Sequence, residues 1–167
     1  MPGALFDSPI GTVFAREEGG AITRLSLERF DHEECLAAAR DKPSATLRRL
    51  GRWLDAYFKG KNPAQDFALD LRGTAFQRDV WNITAQIPYG KTATYGRIAG
   101  FVAIMSGKDA MSARAVGQAM KSNPIALLIP CHRVVASNGL GGYFGSGSRE
   151  TGPDLKRFLL ELEGAKV

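Results

Sequence analysis

Residues 125–135 read Ile-Ala-Leu-Leu-Ile-Pro-Cys-His-Arg-Val-Val, an apolar run that stops at a proline and then delivers a cysteine, a histidine and an arginine in succession. A thiol attacks carbon as the thiolate, and nearby cations together with a partner base raise the thiolate fraction at neutral pH. Cys131 has both kinds of neighbour in its own segment. His132 is the next residue along the chain, so its side chain diverges from that of Cys131. A bridging water therefore suits proton transfer between them better than a direct hydrogen bond.

Upstream of this segment the chain reads as helices. Thr74 can cap a helix that carries Phe76, Val80, Ile83 and Ile87 on its inner side, and Pro88-Tyr89-Gly90 ends it. Thr94 can cap a second, with Ile98, Ala99 and Val102 facing inward, and Ser112 opens a third that runs to about Lys121. The last two, joined by a turn containing Ser106-Gly107, form a helix-turn-helix candidate whose connection, 103–111, is long for that motif. Downstream, Asn138-Gly139 marks a turn, and a glycine- and serine-rich loop over 143–153 carries little to bury and is expected to move. Pro153 suits the first turn of a final helix ending at Gly164.

The first thirty residues alternate β-prone runs with turn signals at Ser8-Pro9-Ile10-Gly11 and Gly19-Gly20, which predicts three antiparallel strands. An apolar stripe at Leu47, Leu50, Leu54 and Tyr57 or Phe58 follows, stopping at Lys59-Gly60. The organisation is thus a sheet-and-helix domain over 1–65, a linker over 66–73, and a second domain over 74–167.

The formal charge of +5 is unevenly placed. Through Arg72 the chain has 11 basic and 11 acidic residues, whereas from Gly73 onward it has 11 basic and 6 acidic. Between 88 and 149 the cations Lys91, Arg97, Lys108, Arg114, Lys121, Arg133 and Arg149 face the single acid Asp109. Around a reactive cysteine such a block reads as a surface for phosphates. The start of the chain lacks the basic flank and apolar run of a signal peptide, and no stretch is long and apolar enough to span a bilayer, so a cytoplasmic protein is expected. Cys35 and Cys131 make no disulfide framework, and His32 with Cys35 supplies too few ligands for zinc, so no metal is expected.

Five ordered motifs extend the pattern beyond the cysteine: Arg-Ala-Val-Gly at 114–117, Ser-Asn-Pro-Ile at 122–125, Pro-Cys-His-Arg-Val at 130–134, Gly-Gly-Tyr at 141–143 and Leu-Glu-Gly at 162–164. Together they resemble the O6-alkylguanine-DNA alkyltransferases, closely from 76 to 164 and only generally before that. The resemblance implies an α/β (α+β) fold. Its N-terminal part would be a three-stranded antiparallel sheet with a helix, ribonuclease-H-like, and its C-terminal part a winged helix-turn-helix-type alkyltransferase domain.

The same resemblance implies direct reversal of DNA damage. The alkyl group of O6-alkylguanine, with O4-alkylthymine as the alternative lesion, would pass once and irreversibly to Cys131. His132 would be the base, Glu163 its orienting acid in preference to Glu161, and Tyr95 a hydroxyl donor to the purine. Arg114 would hold the gap left by a flipped nucleotide. Ala113 and Gly117 would keep the helix surface small against the minor groove, and Lys121 and Arg133 would add to the DNA-binding surface. Asn123 would be the hinge between recognition helix and active-site segment, while Pro130, Val134 and Tyr143 would shape the guanine pocket. The partner would be double-stranded DNA, bound by a monomer, singly or in cooperative arrays, without a cofactor or a membrane.

Two other classes fit parts of the sequence. A lesion-binding module that does not react would have no cysteine at 131. A cysteine hydrolase would need its base further along the chain and an oxyanion loop.

Overall fold

A computed structural model of the chain describes residues 1–27, 32–141 and 152–166. Tyr143 and most of the glycine- and serine-rich loop lie outside the described residues. The chain divides into two compact units, Met1–Arg72 and Gly73–Val167.

In the first unit β1 (Gly3–Ser8), β2 (Gly11–Glu18) and β3 (Ala21–Ser26) form an antiparallel meander, as their alternation predicts. Ser8 pairs with Gly11 across a two-residue turn, and the Ser8 hydroxyl donates to the Gly11 carbonyl at 2.6 Å. α1 (His32–Ala38) and α2 (Ala45–Phe58) pack on this sheet. Ser44 caps α2 by accepting from the Leu47 amide, and Leu47, Leu50, Leu54 and Tyr57 form its buried stripe. The sheet has one strand more than the sequence predicts. β4 (Ala68–Leu69) pairs in parallel with β3, Ala21 against Ala68 and Ile22 against Leu69. Two residues are too few to show a period, and burial of the preceding Phe67 is what seats them.

The second unit is built on three mutually packed helices, α3 (Ala75–Thr84), α4 (Tyr95–Met105) and α5 (Ala113–Lys121). A full capping box starts α3: the Thr74 hydroxyl accepts from the Gln77 amide at 3.2 Å and the Gln77 side chain accepts from the Thr74 amide at 2.9 Å. The buried face of α3 is rotated from the one predicted. Val80, Trp81 and Thr84 are fully inside, while Phe76 and Ile83 are half-buried. The cause is Trp81, whose large ring fills the interior and whose indole N–H donates to the Ala119 carbonyl at 2.9 Å.

The long connection of the helix-turn-helix candidate is shorter than its sequence suggests, because α4 runs on to Met105. Gly107, at φ +64°, then closes the helix. Its amide donates to the Ile104 carbonyl at 3.2 Å and the Lys108 amide to the Ala103 carbonyl at 2.9 Å, the paired bonds of a Schellman stop. β5 (Ala93–Thr94) pairs in parallel with β6 (Val134–Val135), and α6 (Gly152–Leu162) ends the unit. Ala93 lies against Val134 and Thr94 against Val135, so the start of α4 is held beside the cysteine segment.

Candidate active site

Cys131 opens a short 3-10 turn, Cys131–Arg133, directly before β6. Two tight turns deliver it there. Leu127 has φ +66°, and the Leu128 amide donates to the Ala126 carbonyl at 2.8 Å across it, a strained geometry for a side chain that is buried. Pro130, at φ −80° and ψ 64°, turns the chain again, with the Cys131 amide donating to the Ile129 carbonyl at 2.8 Å. Asn123 ties this segment to the end of α5. Its Nδ2 donates to the Ile129 carbonyl at 2.8 Å and its Oδ1 accepts from the Ile125 amide at 3.0 Å.

Cys131 and His132 are fully buried, and Glu163, just beyond α6, is buried with them. Nε2 of His132 lies 2.6 Å from Oε1 of Glu163. That carboxylate also accepts from Arg133, Nε to Oε2 at 2.9 Å and Nη2 to Oε1 at 3.1 Å, and from the Gly90 amide at 3.1 Å. A carboxylate surrounded by donors is an acceptor only, so the imidazole nitrogen facing it carries the proton and Nδ1 is the basic nitrogen of neutral His132. Burial pushes the His132 pKa below its usual value, partly offset by Glu163, while the charges of Arg133 and Lys156 lower it further. Neutral imidazole is the form that can take a proton.

Tyr95 and Lys156 complete the site. Burial raises the Tyr95 pKa to about 12, reinforced by the charge of Cys131, so its hydroxyl stays protonated across the physiological range. Lys156 is fully buried, and burial pulls its pKa down to about 8 against the opposing effect of Cys131. By reciprocity an ammonium at Lys156 favours the thiolate. Sequence reasoning missed Lys156. Its one signal was its helical spacing from Leu159 and Leu160, three and four residues on, which puts it on the apolar face of the last helix where a lysine is costly to bury.

The predicted residues separate into two groups. Cys131, His132, Glu163 and Tyr95 converge, with Pro130 and Val134 buried around them. Arg114 and Ala113 are exposed at the start of α5, Gly117 is half-buried one turn on, and Lys121 lies in the last turn. Arg133 corrects the expectation. Its side chain is only 12 % exposed, and it is engaged with Glu163 and, through Nη1 at 2.7 Å, with the Ile87 carbonyl, so it belongs to the buried site rather than to a DNA-binding surface. A basic residue in a basic segment carries no mark of which way it turns. Among the described residues no group of three or more His, Cys, Asp or Glu could hold a metal ion.

A buried cysteine next to a His-Glu pair, in a unit whose helices α4 and α5 pack on one another, is the arrangement of a cysteine-based group-transfer protein that can also carry a DNA-binding helix pair. The family model for the DNA-binding domain of 6-O-methylguanine DNA methyltransferase matches residues 75–165. A methylated-DNA--protein-cysteine methyltransferase of Methanosarcina acetivorans is 37% identical over 163 residues, covering 97% of each chain. One from Mycobacterium bovis is 40% identical over 162 residues, covering 96% of this chain and 91% of its own. The crystal structure of Mycobacterium tuberculosis OGT in complex with DNA superimposes with a TM-score of 0.80 at 38% identity, covering 98% of this chain and 93% of that one. The chain belongs to the methylated-DNA--protein-cysteine methyltransferase family.

Proposed function

We propose that Cys131 is the alkyl acceptor in the repair of O6-alkylguanine in double-stranded DNA. The observation that carries this is the buried line from Cys131 through His132 to Glu163, with the 2.6 Å contact holding the imidazole. The thiol proton passes by a water to Nδ1 of His132, and Glu163 stabilises the imidazolium that results. The thiolate sulfur attacks the alkyl carbon, the bond from that carbon to O6 breaks, and its electron pair stays with guanine. Tyr95 donates a proton to the purine as it leaves, and the ammonium of Lys156, 5.5 Å from the centre of the Tyr95 ring, stabilises the phenolate that results. The product is a neutral thioether that water does not cleave, so each molecule acts once.

A stacked guanine is out of reach of a buried thiol, so the nucleotide must be flipped out. The exposed start of α5 supports a role on the duplex: the Ser112 hydroxyl caps it, accepting from the amides of Arg114 and Ala115, and Arg114 is exposed at its N-terminal end. We place this helix in the minor groove, where Arg114 fills the gap and the small surface of Ala113 and Gly117 permits close approach. In this reading the protein works as a monomer in the cytoplasm, on whatever DNA carries the lesion.

The test is mass spectrometry after incubation with a duplex containing O6-methylguanine. One methyl group fixed on Cys131, and none on a Cys131→Ser variant that still binds the duplex, is the expected result. Multiple turnover with an unmodified cysteine would overturn it.

A further inference from the structure

Arg133 was expected at the DNA surface and instead sits behind the imidazole. Its guanidinium spans both oxygens of Glu163, donates to the Ile87 carbonyl, and lies 5.7 Å from the centre of the Tyr89 ring. The Pro88-Tyr89-Gly90 turn closes the other side. The Gly90 amide donates to Glu163 Oε2, the Tyr89 hydroxyl reaches the Leu162 carbonyl at 3.4 Å, and a Cβ on Gly90 would come within 2.9 Å of the Glu163 carbonyl. A turn that reads in sequence as a helix stop is therefore also the seat of the acidic residue.

We propose that Arg133 is a positioning residue for alkyl transfer, which clamps Glu163 against the Pro88-Tyr89-Gly90 turn and shares its charge so that His132 is held in place as a neutral base. This rests on the reading of Cys131 as acceptor and His132 as base.

The argument is one of competition for a single carboxylate. A Glu163 serving His132 alone would stabilise imidazolium strongly and make the histidine a poor acceptor at neutral pH, because it would already be protonated. Two guanidinium hydrogen bonds spread that negative charge and fix the carboxylate plane, and the cation itself opposes a second positive charge nearby. Among the described residues, His132 feels Glu163 and Lys156 from the α6 segment and Arg133 from its own turn; around them, Tyr89 from the α3–α4 turn lies against Arg133 and Glu163, and Tyr95 from α4 against Cys131 and Lys156. α3, also packed on the turn, carries only Arg78 and Asp79, which lie toward its start and are not buried. Arg133 bonds the same carboxylate that His132 uses, through two of its nitrogens.

The experiment measures single-turnover alkyl transfer against pH for the full chain and for Arg133→Gln and Arg133→Lys, with free O6-benzylguanine and with a duplex carrying O6-methylguanine. Thermal unfolding and binding to undamaged duplex are followed in parallel. Expected for Arg133→Gln is a loss of about tenfold or more on both substrates, as general-base catalysis is impaired. Its acidic limb should move up by about one pH unit, because His132 protonates more readily without the cation. Arg133→Lys, which keeps the charge but not the fork, should restore the limb and only part of the rate, and it serves where the glutamine variant fails to fold. Duplex affinity should stay within roughly twofold, since no phosphate contact has been removed. An unchanged rate and profile would overturn the proposal, as would a loss confined to the duplex with weakened binding, which would return Arg133 to the DNA surface. Failure of the underlying reading looks different: the unmodified protein would then gain no alkyl group on Cys131.

Discussion

Nζ of Lys156 lies 5.5 Å from the centre of the Tyr95 ring, so a buried ammonium covers the face of the phenol proposed to protonate the leaving guanine. Both groups also feel the charge of Cys131. In the proposed mechanism one cation then serves two anions that arise in sequence, first the thiolate and then the departing purine through Tyr95. The site keeps a group whose burial works against stability, which is expected where charge must be stabilised during reaction.

Replacing Lys156 with Met should therefore raise stability while slowing transfer. The folded-state pKa of about 8 lies below the ordinary 10.5. Between these values the unfolded chain holds a proton that the folded chain has lost, so stability rises with pH across that window and the full penalty applies below it. The variant should gain roughly 3 kcal/mol near pH 7, with the advantage fading toward pH 10.5. Denaturant melts at several pH values check this, and a single-turnover assay checks the loss of rate.

Asn123→Ala should cost roughly 1–3 kcal/mol, because a buried amide and a buried carbonyl each lose a partner. The same side chain ties α5 to the segment that places Cys131. Transfer to the thiol should slow even with free O6-benzylguanine, where no duplex is bound. A variant with reduced melting temperature and normal transfer would confine Asn123 to stability.

Arg114→Ala should impair repair in a duplex far more than reaction with the free base, since only the duplex has a gap to hold. Rising salt should likewise weaken duplex binding steeply and leave the free-base reaction almost unchanged. Equal losses on both substrates would make Arg114 a residue of the fold.

The helices and their caps were legible because Thr74, Thr94 and Ser112 precede apolar positions at helical spacing, and each does cap its helix. The meander was legible from its alternation and its turns. What stayed hidden depends on contacts that sequence spacing does not encode. β4 is too short for a period, and Trp81 turns inward because a carbonyl on α5 meets its indole. Arg133 and Lys156 look like any basic residues until the fold surrounds them with carboxylate, phenol and thiol. The Cys-His-Glu line was read from motif resemblance; its geometry, with Gly90 and Arg133 holding Glu163, was not.

Gly117 offers the clearest separation of folding from function. It lies in the interior of α5, where glycine costs roughly 0.5–1 kcal/mol relative to alanine. Among the described residues a Cβ built there meets nothing within 4 Å, so none of them demands the glycine by packing. The remaining reason to keep it is a surface that something outside must approach closely. Gly117→Ala should then raise the melting temperature, leave transfer from free O6-benzylguanine unchanged, and weaken binding to duplex DNA, with Gly117→Leu weakening it further. Affinity measured by fluorescence anisotropy on an undamaged duplex reads the effect directly. Binding that tolerates leucine at this position would mean that α5 meets DNA by another face, and the minor-groove placement would have to be abandoned.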